Sequence, residues 1–116
     1  MRRLEEIQTE ERQLYSKEEA LDSEANQVRR IKETYDQHLY EAKHFFDAIC
    51  YQFHKNEQGN VYRALFDEFS QKSRQVMNEL EKDEEELRRQ KRKLSNQLED
   101  IGYEKRKLLA EEENKT

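Results

Sequence analysis

Asn56-Glu57-Gln58-Gly59-Asn60 is the only cluster of turn-forming residues in a chain of 116 that contains no proline. On each side of it apolar residues recur every seven positions. Before it the series is Ile7, Leu14, Leu21, Val28, Tyr35, Ala42 and Ile49; after it, Phe66, Ser73, Leu80, Leu87, Leu94, Ile101 and Leu108. A seven-residue repeat keeps one seam of a helix facing a partner helix. Paired from the chain ends inward, Ile7 falls opposite Leu108, Leu14 opposite Ile101, and finally Ile49 opposite Phe66. The mirror centre lies between Glu57 and Gln58, and the two small members, Ala42 and Ser73, face each other. This register predicts an all-α fold, a long two-helix antiparallel coiled-coil hairpin with its turn at about 56–60. A partner would complete it as a three- or four-helix bundle.

The expected organisation is a single helical-hairpin domain over 1–116, with helix 1 at about 3–55, helix 2 at about 60–112 and a tail at 112–116. Asn60 reads as the N-cap of helix 2, and Gly59 as the residue taking a left-handed turn conformation. Ser16-Lys17-Glu18-Glu19 fits a capping box, but Leu14 and Leu21 keep register across it, so one continuous helix is expected. Gly102 inside helix 2 costs about 1 kcal/mol against alanine and reads as a point of fraying.

Composition agrees with a two-layer coiled coil. Charged residues make up 42% and hydrophobic residues 33%, with a net charge of only −5 because the signs are interleaved. Such a chain lacks the apolar share of a compact globule. Cys50 is the single cysteine and has no intramolecular disulfide partner. No apolar run approaches the roughly 18 residues of a membrane span. Met1-Arg2-Arg3 leads into Glu5 and Glu6, so no general secretory signal is read.

A second stripe divides the hairpin. Near the turn its layers are apolar: Phe53 with Tyr62, Phe46 with Phe69, Leu39 with Val76. Away from the turn they become polar: Lys32 meets Asp83, and Glu11 would face Glu104. A fully buried Leu or Ile contributes about 1.5–3 kcal/mol, against about 1.5 kcal/mol per ordered residue. The half holding both termini is therefore expected to be marginal, fraying or leaning on a partner. The turn-proximal half has a surplus instead. All 5 phenylalanines fall between positions 45 and 69, and Ile31, Tyr40, Phe45, Tyr51, Leu65 and Met77 lie off the seam. An exposed patch of this kind marks a protein-binding surface, so Tyr40, Phe45, Tyr51, Leu65 and Met77 are the candidate partner-binding residues.

No catalytic, cofactor-binding or metal-binding residue is assigned, and an enzyme is not expected. Glu41-x-x-His44 has the spacing of a di-iron bundle ligand pair, but no second copy exists. Cys50 reads as a small packed side chain. The basic run Arg88-Arg89-Gln90-Lys91-Arg92-Lys93 follows Asp83-Glu84-Glu85-Glu86 and is read as an ion-paired helix face, with Glu84–Arg88 and Glu85–Arg89 at favourable spacing. Overall acidity (pI about 5.4) opposes nucleic-acid binding.

Two long helices meeting at a short Gly-containing turn are also the layout of the WXG-type proteins of bacterial type VII secretion, although Glu57-Gln58-Gly59 lacks that family's tryptophan. The chain more closely resembles the small helical proteins encoded beside LXG-domain toxins in Gram-positive bacteria. The resemblance is carried by Phe45-Phe46-Asp47 to Phe53, by Ala64-Leu65-Phe66-Asp67-Glu68-Phe69, and by Leu98-Glu99-Asp100-Ile101-Gly102-Tyr103. It implies a cytoplasmic targeting factor or chaperone that binds the helical region of a secreted effector, and leaves open co-export with that partner. Export signals of the family take the form Tyr/Phe-x-x-x-Asp/Glu near the end of a hairpin. Here Tyr103 is followed by Lys107, while Tyr15–Glu19 and Phe53–Glu57 match only in form. The resemblance therefore implies an accessory member whose signal comes from a second small helical protein. The alternative is a homodimeric coiled-coil scaffold or tether that uses the same patch for itself.

Overall fold

The computed structural model describes residues 2–55 and 57–114. Asn56 of the turn cluster, and Lys115 and Thr116 of the expected tail, lie outside the described residues. The fold is all-α, with α1 at Leu4–Gln52 and α2 at Glu57–Asn114. Glu5 and Glu6 in the first turn of α1, and Glu57 in that of α2, place carboxylates at the positive ends of the helix dipoles. Ser16 lies inside α1, which runs unbroken through the capping-box pattern.

The turn differs from the sequence expectation. It occupies Phe53–Lys55, and Glu57 to Asn60 form the first turn of α2, so Asn60 is helical and not an N-cap. No glycine among the described residues has a positive φ. Gly59 is needed for space instead: it is buried, and a Cβ placed on it would lie 2.2 Å from the Phe53 carbonyl oxygen. Gly102 lies within α2 with open space where a Cβ would go, and the helix continues past it and past Glu111 to Asn114.

Two compact units divide the chain. Unit 1 is Met1–Asn26 with Glu85–Thr116; unit 2 is Gln27–Glu84. Each contains a segment of both helices.

Unit 1 has a well-buried aliphatic core. Ile7, Leu14, Leu94 and Ile101 form one buried cluster, with Leu21, Leu98 and Leu108 packed against it. Leu14 and Ile101, and Leu21 and Leu94, which the sequence register sets opposite each other, all belong to this cluster or pack against it. Its polar flank is paired across the helices. Arg2 donates two hydrogen bonds to Glu104, at 3.0 and 2.6 Å, and also pairs with Glu10. Lys105 reaches Glu11 at 3.1 Å, and Lys91 reaches Asp22 at 2.5 Å. Glu11 is thus paired with Lys105 of the opposite helix, and Glu104 with Arg2, which precedes α1. The hydrogen bond with Arg2 lowers the Glu104 carboxyl below its ordinary range, and the same bond raises the Arg2 guanidinium.

Unit 2 is held by rings. Phe46 sits 5.3 Å from Phe66 and 6.1 Å from Phe69 between ring centroids, and Phe53 lies 5.4 Å from Tyr62. Phe46 with Phe69 and Phe53 with Tyr62 are the layers the sequence predicts. Lys32 departs by one residue: it hydrogen-bonds Glu84 at 2.9 Å and pairs with Glu81 at 3.9 Å, in place of Asp83. The bond to Glu84 raises the Lys32 ammonium above its ordinary value. Ser73 is buried at 2% exposure, as its register opposite Ala42 requires. Among the described residues no buried side-chain polar atom lacks a hydrogen-bond partner.

Burial is concentrated in unit 1, while the off-seam apolar residues expected to be exposed near the turn, Ile31, Tyr40, Phe45, Tyr51 and Leu65, are exposed in unit 2. The buried hydrophobic side chains, Ile7, Leu14, Leu87, Leu94 and Ile101, all belong to unit 1. Slim aliphatic side chains can be enclosed between two helices, with Leu21, Leu98 and Leu108 packed around the buried four. Two helices cannot surround a stack of phenyl rings in this way, so Phe46, Phe53, Phe66 and Phe69 remain only half-buried.

Candidate interaction surface

The five candidate residues do not form one patch. Tyr40 and Phe45 are each 62% exposed, Tyr51 81% and Leu65 48%, while Met77 is half-buried. On an α-helix Tyr40 and Tyr51 project within about 20° of each other, whereas Phe45 projects about 140° from Tyr40. Leu65 and Met77 are about 120° apart on α2.

Heptad positions explain the split. With Leu39, Phe46 and Phe53 at position a and Ala42 and Ile49 at d of α1, Phe45 and Ile31 are g residues. On α2, Phe66 is a and Phe69 is d, which makes Leu65 g and Met77 e. In an antiparallel pair the two g rows flank the same side of the seam and the two e rows the other. Lys91 and Asp22, both e residues, pair across the helices as this rule requires. Phe45, Ile31 and Leu65 therefore share one flank of unit 2. Met77 lies on the opposite flank with Cys50 and Ser70, and all three are half-buried. Tyr40 and Tyr51 stand on the outer face of α1.

Local contacts follow from these positions. The Tyr40 ring meets His44 edge-on at 4.4 Å, and Phe45 meets Phe46 edge-on at 5.8 Å. Tyr51 stacks against His54 at 5.8 Å, and the His54 Nδ1 lies 2.7 Å from the Tyr51 carbonyl oxygen. Two further exposed apolar residues of unit 2 went unassigned as partner-binding in the sequence reading: Ile31 at 52% and Val61 at 58%. Ile31 was visible as an off-seam residue; Val61 is masked in sequence by its place beside the turn cluster.

Glu41 accepts a hydrogen bond from Gln37 at 3.1 Å. Among the described residues no three His, Cys, Asp or Glu side chains cluster to hold a metal ion. Two cations of the basic run are ion-paired, Arg89 with Glu86 at 3.3 Å in place of the expected Glu85, and Lys91 with Asp22. Glu84, expected to serve Arg88, bonds Lys32 instead. Among the described residues no helix is long and apolar enough to cross a membrane.

These features define an α-helical coiled-coil hairpin with a paired aliphatic unit and an aromatic unit that leaves large apolar side chains uncovered. The chain belongs to a family described as proteins of unknown function, DUF3958, whose model matches residues 2–108. No curated protein and no solved structure matches it.

Proposed function

We propose that this protein is a non-enzymatic adaptor or chaperone that binds a helical region of a secreted type VII (LXG) effector and supports its export. The observation that carries the proposal is the exposure of Phe45, 62%, beside a ring-filled seam that has no buried large hydrophobic side chain among the described residues. An amphipathic helix laid along unit 2 removes this surface from water, and burial that neither chain achieves alone drives the complex. The LXG resemblance supplies the class of partner, the cytoplasmic site of action, and a second small helical protein as source of the export signal.

The test is co-purification with the helical region of the effector encoded beside it. Phe45→Asp places an unpaired carboxylate in the contact and should weaken the complex about 30-fold or more, the loss of one aromatic anchor. Helix content by circular dichroism should be retained, because Phe45 contributes little to the internal seam. A complex that survives Phe45→Asp within about threefold removes this surface from the proposal. Tyr40→Ala with Tyr51→Ala tests the outer face of α1 separately.

A further inference from the structure

Both helices change the sign of their charge abruptly. Along α1, Glu18, Glu19, Asp22 and Glu24 are followed by Arg29, Arg30 and Lys32. Along α2, Asp83-Glu84-Glu85-Glu86 is followed by Arg88-Arg89-Gln90-Lys91-Arg92-Lys93. Because the two helices run in opposite directions, acid meets base on each side of the change. Asp22 pairs with Lys91 at 2.5 Å, and Lys32 pairs with Glu84 at 2.9 Å and with Glu81 at 3.9 Å.

The apolar stripe does not choose this register by itself. Let each α1 residue meet the α2 residue seven places later. Leu14 then faces Leu108, Leu21 faces Ile101, Val28 faces Leu94 and Tyr35 faces Leu87, so these layers stay apolar and the Ile7 layer is lost. The turn would move by half the slip, three or four residues, onto Glu57-Gln58-Gly59 within the turn-forming cluster. The charges do not survive this slip. Lys91 would leave Asp22 for Arg29 and Lys32, Arg88 would also meet Lys32, and Glu84 would meet Asp36 and Leu39. Pairs nearer the chain ends do not discriminate, since Arg2 would meet Glu111 and Lys105 would meet Glu18. The opposite slip sets Asp22 against Glu84 and moves the turn onto Cys50-Tyr51-Gln52, which holds no turn-forming residue.

We propose that the matched changes of sign are a register lock. Arg29 and Lys32 of α1, read against Glu81, Glu84, Arg88 and Lys91 of α2, hold the hairpin out of the one-heptad slip that its apolar stripe permits. Lys32 is an a residue of the seam, and a lone charge at such a position specifies register at a cost in stability. Its ammonium meets two carboxylates in the present register and two cations in the slipped one. The lock also gives the basic run a role that depends on its place directly after the acidic run. Effector binding plays no part in it, so it stands or falls apart from the adaptor reading.

The test uses the full chain with Cys50→Ser and spin labels placed through Gln13→Cys and Asn96→Cys, two neutral exposed positions of unit 1. With Leu14 opposite Ile101, Gln13 is level with Gly102, and the labels lie about 9 Å apart along the seam. The slip makes this offset about 20 Å. Arg29→Glu with Lys32→Glu sets like charges in the present register and opposite charges in the slipped one. The ratio of slipped to unslipped molecules should rise about 100-fold, from two contacts reversed in both registers, and the longer distance should appear. Adding Glu81→Lys with Glu84→Lys restores opposite charges and should return the short distance. A distance unchanged by the first pair of substitutions overturns the proposal. So does loss of helix by circular dichroism with no population at the longer distance, or a longer distance that persists in the fourfold charge variant.

Discussion

The two glycines make the sharpest test of the fold, because one chemical change should act with opposite sign at two positions of one helix. At Gly102 a new Cβ meets nothing within 4 Å. Gly102→Ala therefore gains the helix-propensity difference and the reduced entropy of the unfolded chain, about 0.5–1 kcal/mol. At this chain length such a gain raises the melting temperature by about 2–5 °C. At Gly59 the added carbon would stand 2.2 Å from the Phe53 carbonyl oxygen and 3.0 Å from its carbon. Backbone cannot rotate aside as a side-chain tip does, so the chain must open at the turn. Overpacking of this kind costs about 1–3 kcal/mol. It more than offsets the propensity gain, which is smaller in the first helical turn. Gly59→Ala should lower the midpoint by a few degrees, with faster amide exchange concentrated around Phe53–Lys55. Thermal melts followed at 222 nm and hydrogen exchange measured on both variants supply the comparison. If Gly59→Ala stabilises as much as Gly102→Ala, the close approach of α2 to the Phe53 carbonyl is wrong, and the turn at Phe53–Lys55 with it.

Other outcomes follow from the two units. Leu94→Ala, at a site 4% exposed in the buried cluster of unit 1, should cost about 2–5 kcal/mol by urea denaturation. A cost below 1 kcal/mol would place the buried core elsewhere. The Glu104 carboxyl is held below its ordinary range by Arg2, so its contribution is present above the unfolded carboxylate pKa and lost as pH falls through the folded one. Glu104→Gln should lower the melting temperature at pH 7 and leave it little changed at pH 2, and equal losses at both pH values would refute the linkage.

Much of the fold was legible because heptad register is a long-range signal repeated many times. Phe46 against Phe69 and Phe53 against Tyr62 follow from counting alone, and so does the burial of Ser73. The turn was misplaced because Gly59 beside Asn60 carries the composition of a left-handed turn, whereas its missing side chain serves a close approach. Glu57, an acid suited to a first helical turn, was the local signal for the true start of α2. Where the most deeply buried core sits was not legible, because counting apolar layers treats a phenyl ring and a leucine alike. Coverage depends on size: the slim aliphatic side chains of unit 1 are buried between two helices, whereas the broader rings of unit 2 stay half-buried.

The candidate surface was legible as a set of residues but not as a surface. Tyr40, Phe45 and Tyr51 are close in sequence and share aromatic character, and neither property determines direction. Direction comes from the seam. Once Phe46 and Ile49 are fixed inward, Phe45 must project to the g flank and Tyr51 to the outer face. The same step changes what a neutral residue means. Thr34, His38 and Ala48 are unremarkable singly, yet on one flank they form the least charged face of α1, beside Phe45. Hydrophobic stripes thus locate the contact the chain makes with itself, while the interruption of charge on a solvent-facing row, the compositional mark of an interface core, supports the proposed docking of a helix there. In this chain that interruption begins at Gln27, the first residue of unit 2, the unit whose seam holds Phe46, Phe53, Phe66 and Phe69. A seam that two helices cannot close and a flank without charge therefore coincide in the same unit, and each gives the other a physical reason.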